Sequence, residues 1–169
     1  MGAHSKLAKL DTAEALRVIV RACGYKERSS AEIRTRLIDK GFDQCTTEEA
    51  LSKAIGYGYV NDQRFKESLI RMRIDQGKGV YGILKELELH GLSLNEGDCC
   101  AGDLPNISDI SEDIEFKRAL NFLQKKPPRA KNLLNASYGK LLRNGYSFDI
   151  AKKAAFEFTR RINASQNQC

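Results

Sequence analysis

One short pattern recurs three times along the chain: Leu37-x-x-x-Gly41-Phe42, Leu87-x-x-x-Gly91-Leu92 and Leu141-x-x-x-Gly145-Tyr146. Each is a leucine, a four-residue step to glycine, then an apolar residue. Glycine takes positive φ without the clash that a Cβ creates, so it ends a helix at little cost. The glycines stand 50 residues (41 to 91) and 54 residues (91 to 145) apart, and Ala15-Leu16 precedes Gly41 by the same interval as Ala119-Leu120 precedes Gly145. Repeats of this length, each closed by a helix stop, predict tandem helical modules.

Apolar spacing within the repeats agrees. Phe65, Leu69 and Met72 fall at i, i+4, i+7, as do Phe116, Leu120 and Leu123, and Leu134, Tyr138 and Leu141. Leu51, Ala54 and Ile55 fall at i, i+3, i+4. Each set makes one stripe on a helix, and no sustained alternation of period two speaks for a sheet. Capping-box spacing occurs at Ser29–Glu32 and at Thr46–Glu49, and Asn61 or Asp62 and Ser147 suit helix starts. Lys40, His90 and Arg143 stand at helix ends, where the dipole favours positive charge. The fold class expected is all-α: three tandem three-helix modules forming an elongated, curved helical repeat array. Module one spans 12–58, with helices near Thr12–Cys23, Ser30–Lys40 and Thr46–Gly56. Module two spans 59–112, with helices near Asp62–Gln76 and Val80–His90. Turn-forming residues fill its acidic loop, 93–112, leaving room for a short helix near Ile107–Ser111. Module three spans 113–163, with helices near Glu115–Lys125, Arg129–Asn144 and Phe148–Asn163, the first stopped by Pro127-Pro128.

Charge is unevenly spread. The 169 residues carry 28 Lys plus Arg and 22 Asp plus Glu, a net +6. Residues 89–114 hold no Lys or Arg and six acids, whereas 115–169 hold twelve basic and three acidic groups. Such polarity suits an anionic partner, and equally suits solvated helix faces; charge alone does not choose. No run of eighteen apolar residues exists, and the start, Met1-Gly2-Ala3-His4-Ser5, lacks the apolar stretch of a signal peptide, so a cytoplasmic protein is expected. Five cysteines (23, 45, 99, 100 and 169) are an odd set without C-x-x-C spacing, and two distant histidines make no metal cluster. Cys99-Cys100 sits among acids, which raise thiol pKa and favour an inert pair.

Specific motifs sit on this frame. Gly58-Tyr59-Val60-Asn61-Asp62-Gln63-Arg64-Phe65 is similar to the signature G-Y-L-[DN]-D-x-R-F of the RecX family. Gly77-Lys78-Gly79 and the following Ile83, Glu86 and Leu87 resemble that family's K-G-x-G-x-x-x-I-x-x-E-L segment, and Ser29–Phe42 resembles its S-x-x-E-L-x-x-K-L-x-x-K-G-F. The close resemblance covers residues 12–92 and a looser one 113–158. The family's proline after K-G-x-G is replaced by Val80.

The resemblance implies a regulatory protein that binds the RecA filament on single-stranded DNA and modulates, most often inhibits, its recombinase, ATPase and co-protease activities, in homologous recombination, DNA repair and the SOS response. It implies no enzyme, no cofactor and no metal, weak non-specific DNA contact through the filament, no membrane, and a monomer. Basic candidates for the partner or nucleic-acid surface are Arg34, Arg36, Arg64, Arg71, Arg73, Lys78 and Lys85, then Lys125, Lys126, Arg129, Lys131, Lys140 and Arg143. Gly58, Tyr59, Asp62, Phe65, Gly79 and Gly91 read as structural, with Tyr59 and Phe65 as core anchors and Asp62 as a helix cap. The glycine-rich turn 77–82 has the form of a phosphate cradle but lacks the G-K-[ST] ending of a P-loop. A second reading is a helical protein acting directly on duplex DNA, with 29–41 and 46–56 as a helix pair; acidic Glu48-Glu49 opposes it as a groove reader. A catalytic reading has no supporting constellation.

Overall fold

Helix starts in this protein are set by side chains that meet the amide groups a helix leaves unpaired. In the computed structural model, residues 11–93 and 110–166 are described, the last without its side chain. They form eight helices: α1 (Thr12–Cys23), α2 (Ser30–Asp39), α3 (Gln44–Gly56), α4 (Asp62–Asp75), α5 (Val80–Leu89), α6 (Glu112–Lys125), α7 (Leu133–Arg143) and α8 (Phe148–Gln166). Among the described residues there is no strand, and the fold is an all-α helical repeat.

The expected stops hold: Gly41, Gly91 and Gly145 all take positive φ, at 89°, 70° and 83°. So do several caps. Ser29 accepts from the Glu32 amide, Asn61 from that of Arg64, and Ser147 from that of Ile150. Three starts differ from expectation. α3 begins at Gln44, two residues before Thr46, because the Asp43 carboxylate accepts from both the amide and the hydroxyl of Thr46. α6 begins at Glu112, capped by Ser111. Of the short helix read at Ile107–Ser111, Ile110 and Ser111 are not helical and the rest lies outside the described residues. α7 begins at Leu133 rather than Arg129, since the turn after Pro127-Pro128 continues to Asn132, which caps it.

The chain divides into two compact units: Met1–Ser68 with His90–Leu92, and Leu69–Leu89 with Ser93–Cys169. The residues expected for modules one and three fall within single units; those expected for module two are divided between them. The core of the first unit is built by α1, α2 and α3 around Ala15, Ile19, Ile33, Leu37, Phe42, Ala50 and Ala54. The second is built by α6, α7 and α8 around Ala119, Leu123, Leu141, Tyr146, Ala154 and Phe158. A shift of 104 residues, Gly41 onto Gly145, superposes these lists: Ala15 on Ala119, Ile19 on Leu123, Leu37 on Leu141, Phe42 on Tyr146, Ala50 on Ala154 and Ala54 on Phe158, every one buried. The internal repeat is therefore a repeat of packing and not only of stop signals.

Three positions correct the expected core. Tyr59 is 43% exposed and meets Tyr57 edge-on, while the neighbouring Val60 is the buried member of the motif. Met72 and Ile55 also face outward, and Ile70 and Leu69 fill the α4 stripe instead. Phe65 is buried as expected, with its ring centroid 4.9 Å from that of His90.

Each unit contains one junction of the same design. In the first, Asp62 does not cap its own helix; it accepts from the amide and hydroxyl of Ser30, at 2.7 and 2.6 Å, at the start of α2. In the second, the buried Glu115 accepts from the Val80 amide, 2.8 Å, at the start of α5. There the Gly79 and Gly82 amides also donate to the carbonyls of Asn144 and Gly145. Asn144 and the Tyr146 hydroxyl both donate to the Gly77 carbonyl at 2.8 Å. Burial pushes the Tyr146 pKa up to about 12, so its proton stays in place as the donor. The glycines make this approach possible: a Cβ at Gly79 would lie 2.3 Å from the Gly145 oxygen, and one at Gly82 2.8 Å from the Gly145 Cα. Because backbone blocks both, Gly79→Ala is expected to destabilise the protein by about 1–3 kcal/mol or more. Thermal melting checks this; a melting temperature equal to that of the wild type would show that the junction yields freely.

Candidate partner-binding surface

An exposed cation draws an anionic partner only if no carboxylate of its own chain already neutralises it. Four candidates are neutralised. Arg34 makes a two-point pair with Glu48, at 2.5 and 3.2 Å, across α2 and α3. Arg64 pairs in the same way with Glu27, at 2.6 and 3.1 Å, and also donates to the Gly58 carbonyl. Arg73 and Lys78 converge on Glu86, each with a contact of 2.5 Å. Arg73, with Lys78, holds the Glu86 carboxyl far below its usual range, at about 2 rather than 4.5. These cations are structural clamps: they tie α2 to α3, the motif helix to the turn before it, and α4 to α5.

Sequence spacing did not reveal these pairings because each joins residues at least eight positions apart, beyond the reach of one helical turn. The exposed candidates Arg36, Arg71 and Lys85 have no carboxylate partner among the described residues. Arg36 lines a shallow cleft in the first unit with Arg21, Arg28 and Lys40, beside Val18 and Tyr25. Arg28 is held there by Glu32. Arg21 and the exposed Tyr25 carry no motif, and Lys40 marks a helix end, so only the cleft itself discloses them as a group.

The second unit gathers more. Lys125, Lys126, Arg129 and Lys131 lie exposed on the end of α6 and the turn into α7, and Arg143 is exposed at the end of α7. Lys140 donates to the Lys126 carbonyl, which closes the turn against α7. The ammonium groups of Lys126 and Lys140 stand 6.0 and 5.6 Å from the centroid of the Phe122 ring. Arg129, Lys140 and Arg143 line one open cleft with Phe122, Pro128 and Asn144. Five of the six third-module candidates thus adjoin one turn, and Arg143 joins them through the cleft. No carboxylate among the described residues pairs with any of them.

The glycine-rich turn is not a phosphate cradle. The amides of Gly79, Val80 and Gly82 already donate to Asn144, Glu115 and Gly145, and Arg118 donates to the Lys78 carbonyl. Gly58 and Gly91 take positive φ at helix ends, and the Gly91 Cβ position lies 3.4 Å from Ala31. Of the cysteines, Cys45 is exposed and Cys23 is half-buried, its thiol pushed up by burial and by Glu27. Cys99, Cys100 and Cys169 lie outside the described residues, as does most of the acidic loop. No described helix is long and apolar enough to cross a membrane.

Comparison with known proteins follows the same lines. The family described as RecX, first three-helix domain, matches residues 15–53. The regulatory protein RecX of Haemophilus influenzae (strain PittEE) is 26% identical over 156 residues, covering 91% of this chain and 96% of that one. That of Legionella pneumophila (strain Corby) is 38% identical over 78 residues, 46% of this chain and 49% of its own. The crystal structure of RecX from Lactobacillus salivarius shares the fold, with a TM-score of 0.63 at 19% identity over 88% of this chain and 97% of that one.

The Glu86 clamp generates a pH prediction. Its folded pKa lies below the unfolded value, so its stabilisation is present above about 4.5 and is lost as pH falls toward about 2. Glu86→Gln should lower the melting temperature at pH 7, and the gap to the wild type should close as pH falls through that window. A gap that stays constant with pH would show that the carboxylate charge contributes nothing.

Proposed function

The chain belongs to the RecX family, and we propose that it is a regulatory protein acting by binding, its partner the RecA filament on single-stranded DNA. Binding restrains the filament's ATP turnover, strand exchange and co-protease activity in the cytoplasm. The observation that carries this reading is the sorting of charge: Arg34, Arg64, Arg73 and Lys78 are consumed by carboxylates, while Lys125, Lys126, Arg129, Lys131 and Arg143 stand exposed around one turn and cleft. A concentrated, unneutralised basic surface suits the phosphates and acidic side chains of a nucleoprotein filament. Its contacts with phosphate are non-specific and salt-sensitive.

Direct action on duplex DNA is less well supported. The helix that would enter the groove, α3, carries Glu48 and Glu49 on its surface, held by Arg34 and by Lys53 and Thr12. With two acids and a single lysine, α3 offers the DNA backbone no net positive charge.

Because Arg129 and Arg143 line the same cleft without holding the fold, Arg129→Glu with Arg143→Glu should weaken inhibition of RecA ATP hydrolysis by about tenfold or more, with helicity by circular dichroism unchanged. Equal inhibition by the double variant would remove this cleft from the interface.

A further inference from the structure

The repeat register aligns three helix starts, the third to within one residue, since α7 begins at Leu133. A shift of 50 residues, Gly41 onto Gly91, carries Ser30 onto Val80; the shift of 104 carries Ser30, Ala31 and Arg34 onto Leu134, Asn135 and Tyr138. Two of these starts are occupied, each within its own unit. At Ser30 the occupant is Asp62, the first residue of α4, with Gly91 against Ala31. At Val80 it is Glu115, in the first turn of α6, with Phe122 of the same helix against Gly77. In both cases a helix brings a carboxylate in its first turn, and at the second junction the same helix also brings an aromatic ring behind it.

At the third start no carboxylate among the described residues meets the Leu134 amide. The surface beside it is instead an apolar cleft of about 700 Å³ lined by Leu134 and Tyr138 of α7 and Phe148, Ala155 and Phe156 of α8. Phe148 and Phe156 are 64% and 63% exposed. Tyr138 meets Phe148 edge-on at 5.5 Å, which holds the wall of the cleft in one arrangement. Lys152 and Lys153 stand at its rim beside Asp149. Two exposed phenylalanines on one face of a helix mark an interaction surface.

We propose that this cleft receives a helix of the partner protein that carries an acidic side chain in its first turn and an apolar face after it. The partner would thereby repeat, between molecules, the junction that α4 and α6 make within the chain. Charge favours such an occupant: the amide end of α7 and the exposed Lys152 attract a carboxylate, whereas Lys153 is already paired with Glu112 at 3.5 Å. A second copy of the chain fits less well. Its residues equivalent to Phe122 and Asn144 are Val18 and Lys40, and the cleft that these line also holds Arg21 and Arg36, which no carboxylate among the described residues engages. Docking it would set these like charges against Lys152.

The inference rests on the filament reading for the identity of the partner and adds where and by what chemistry it is held. The test uses the full chain with Phe148→Glu and Phe156→Glu, together with a photo-cross-linking side chain placed at 156 in otherwise wild-type protein. The double variant should need about tenfold or more protein to inhibit ATP hydrolysis by RecA on single-stranded DNA, with melting temperature and affinity for the bare strand unchanged. The cross-linker should attach to a RecA helix with Asp or Glu in its first turn. Should the double variant melt early, Lys152→Glu, exposed on the rim, should still weaken inhibition. Unchanged inhibition by Lys152→Glu and the phenylalanine variants would overturn the proposal and leave the filament reading intact. So would a cross-link only to DNA or to a second copy of the chain. A wild-type chain that never slows ATP hydrolysis would sink the filament reading itself, and this assignment of partner with it.

Discussion

The structure depends on one recurring solution to one problem: a helix leaves its first amides without partners, and here a carboxylate from the first turn of a later helix satisfies one of them. Asp62 does this for α2 and Glu115 for α5. A charged acceptor at the positive end of a helix gains from the dipole as well as from the hydrogen bond. Glu115 is buried, so the bond is shielded from water and from salt. The glycines complete the second junction. Gly79 and Gly82 let the backbone of Gly145 approach within hydrogen-bonding distance, where any side chain would hold it off.

Other acids explain the charge pattern. Glu27, Glu48 and Glu86 are engaged by Arg64, Arg34, Arg73 and Lys78, so the motif-bearing half of the chain shows less free positive charge than its composition suggests. Past α6, acids are few and the cations around the α6–α7 turn stay open. Rigid clamps in one region and unneutralised charge in another are what a binding protein needs in order to keep its shape while presenting a surface.

Much of this was legible before any coordinates. Helix stops follow local rules, so Gly41, Gly91 and Gly145 were read correctly, and α1 was placed at Thr12–Cys23. Local rules also misled. Asp62 stands where a cap for its own helix belongs, but Asn61 takes that role and frees Asp62 to reach Ser30, thirty-two positions away. Tyr59 has the size of a core anchor, yet the chain reverses at Gly58 with φ 74° and turns Val60 inward instead. The basic candidates could be named from composition but not sorted, because whether an arginine is free is decided by carboxylates distant in sequence. The Phe148–Phe156 cleft was invisible for the same reason: its lining comes from two helices whose register only the packed repeat supplies.

The central claim is that a carboxylate in the first turn of a later helix holds an earlier helix start. Amide hydrogen exchange followed by NMR on Glu115→Ala tests it directly. The account predicts that the amide of Val80 and its neighbours in the first turn of α5 lose protection by about tenfold or more, while α8 keeps its own. Equal protection of α5 in the variant and the wild type would contradict it.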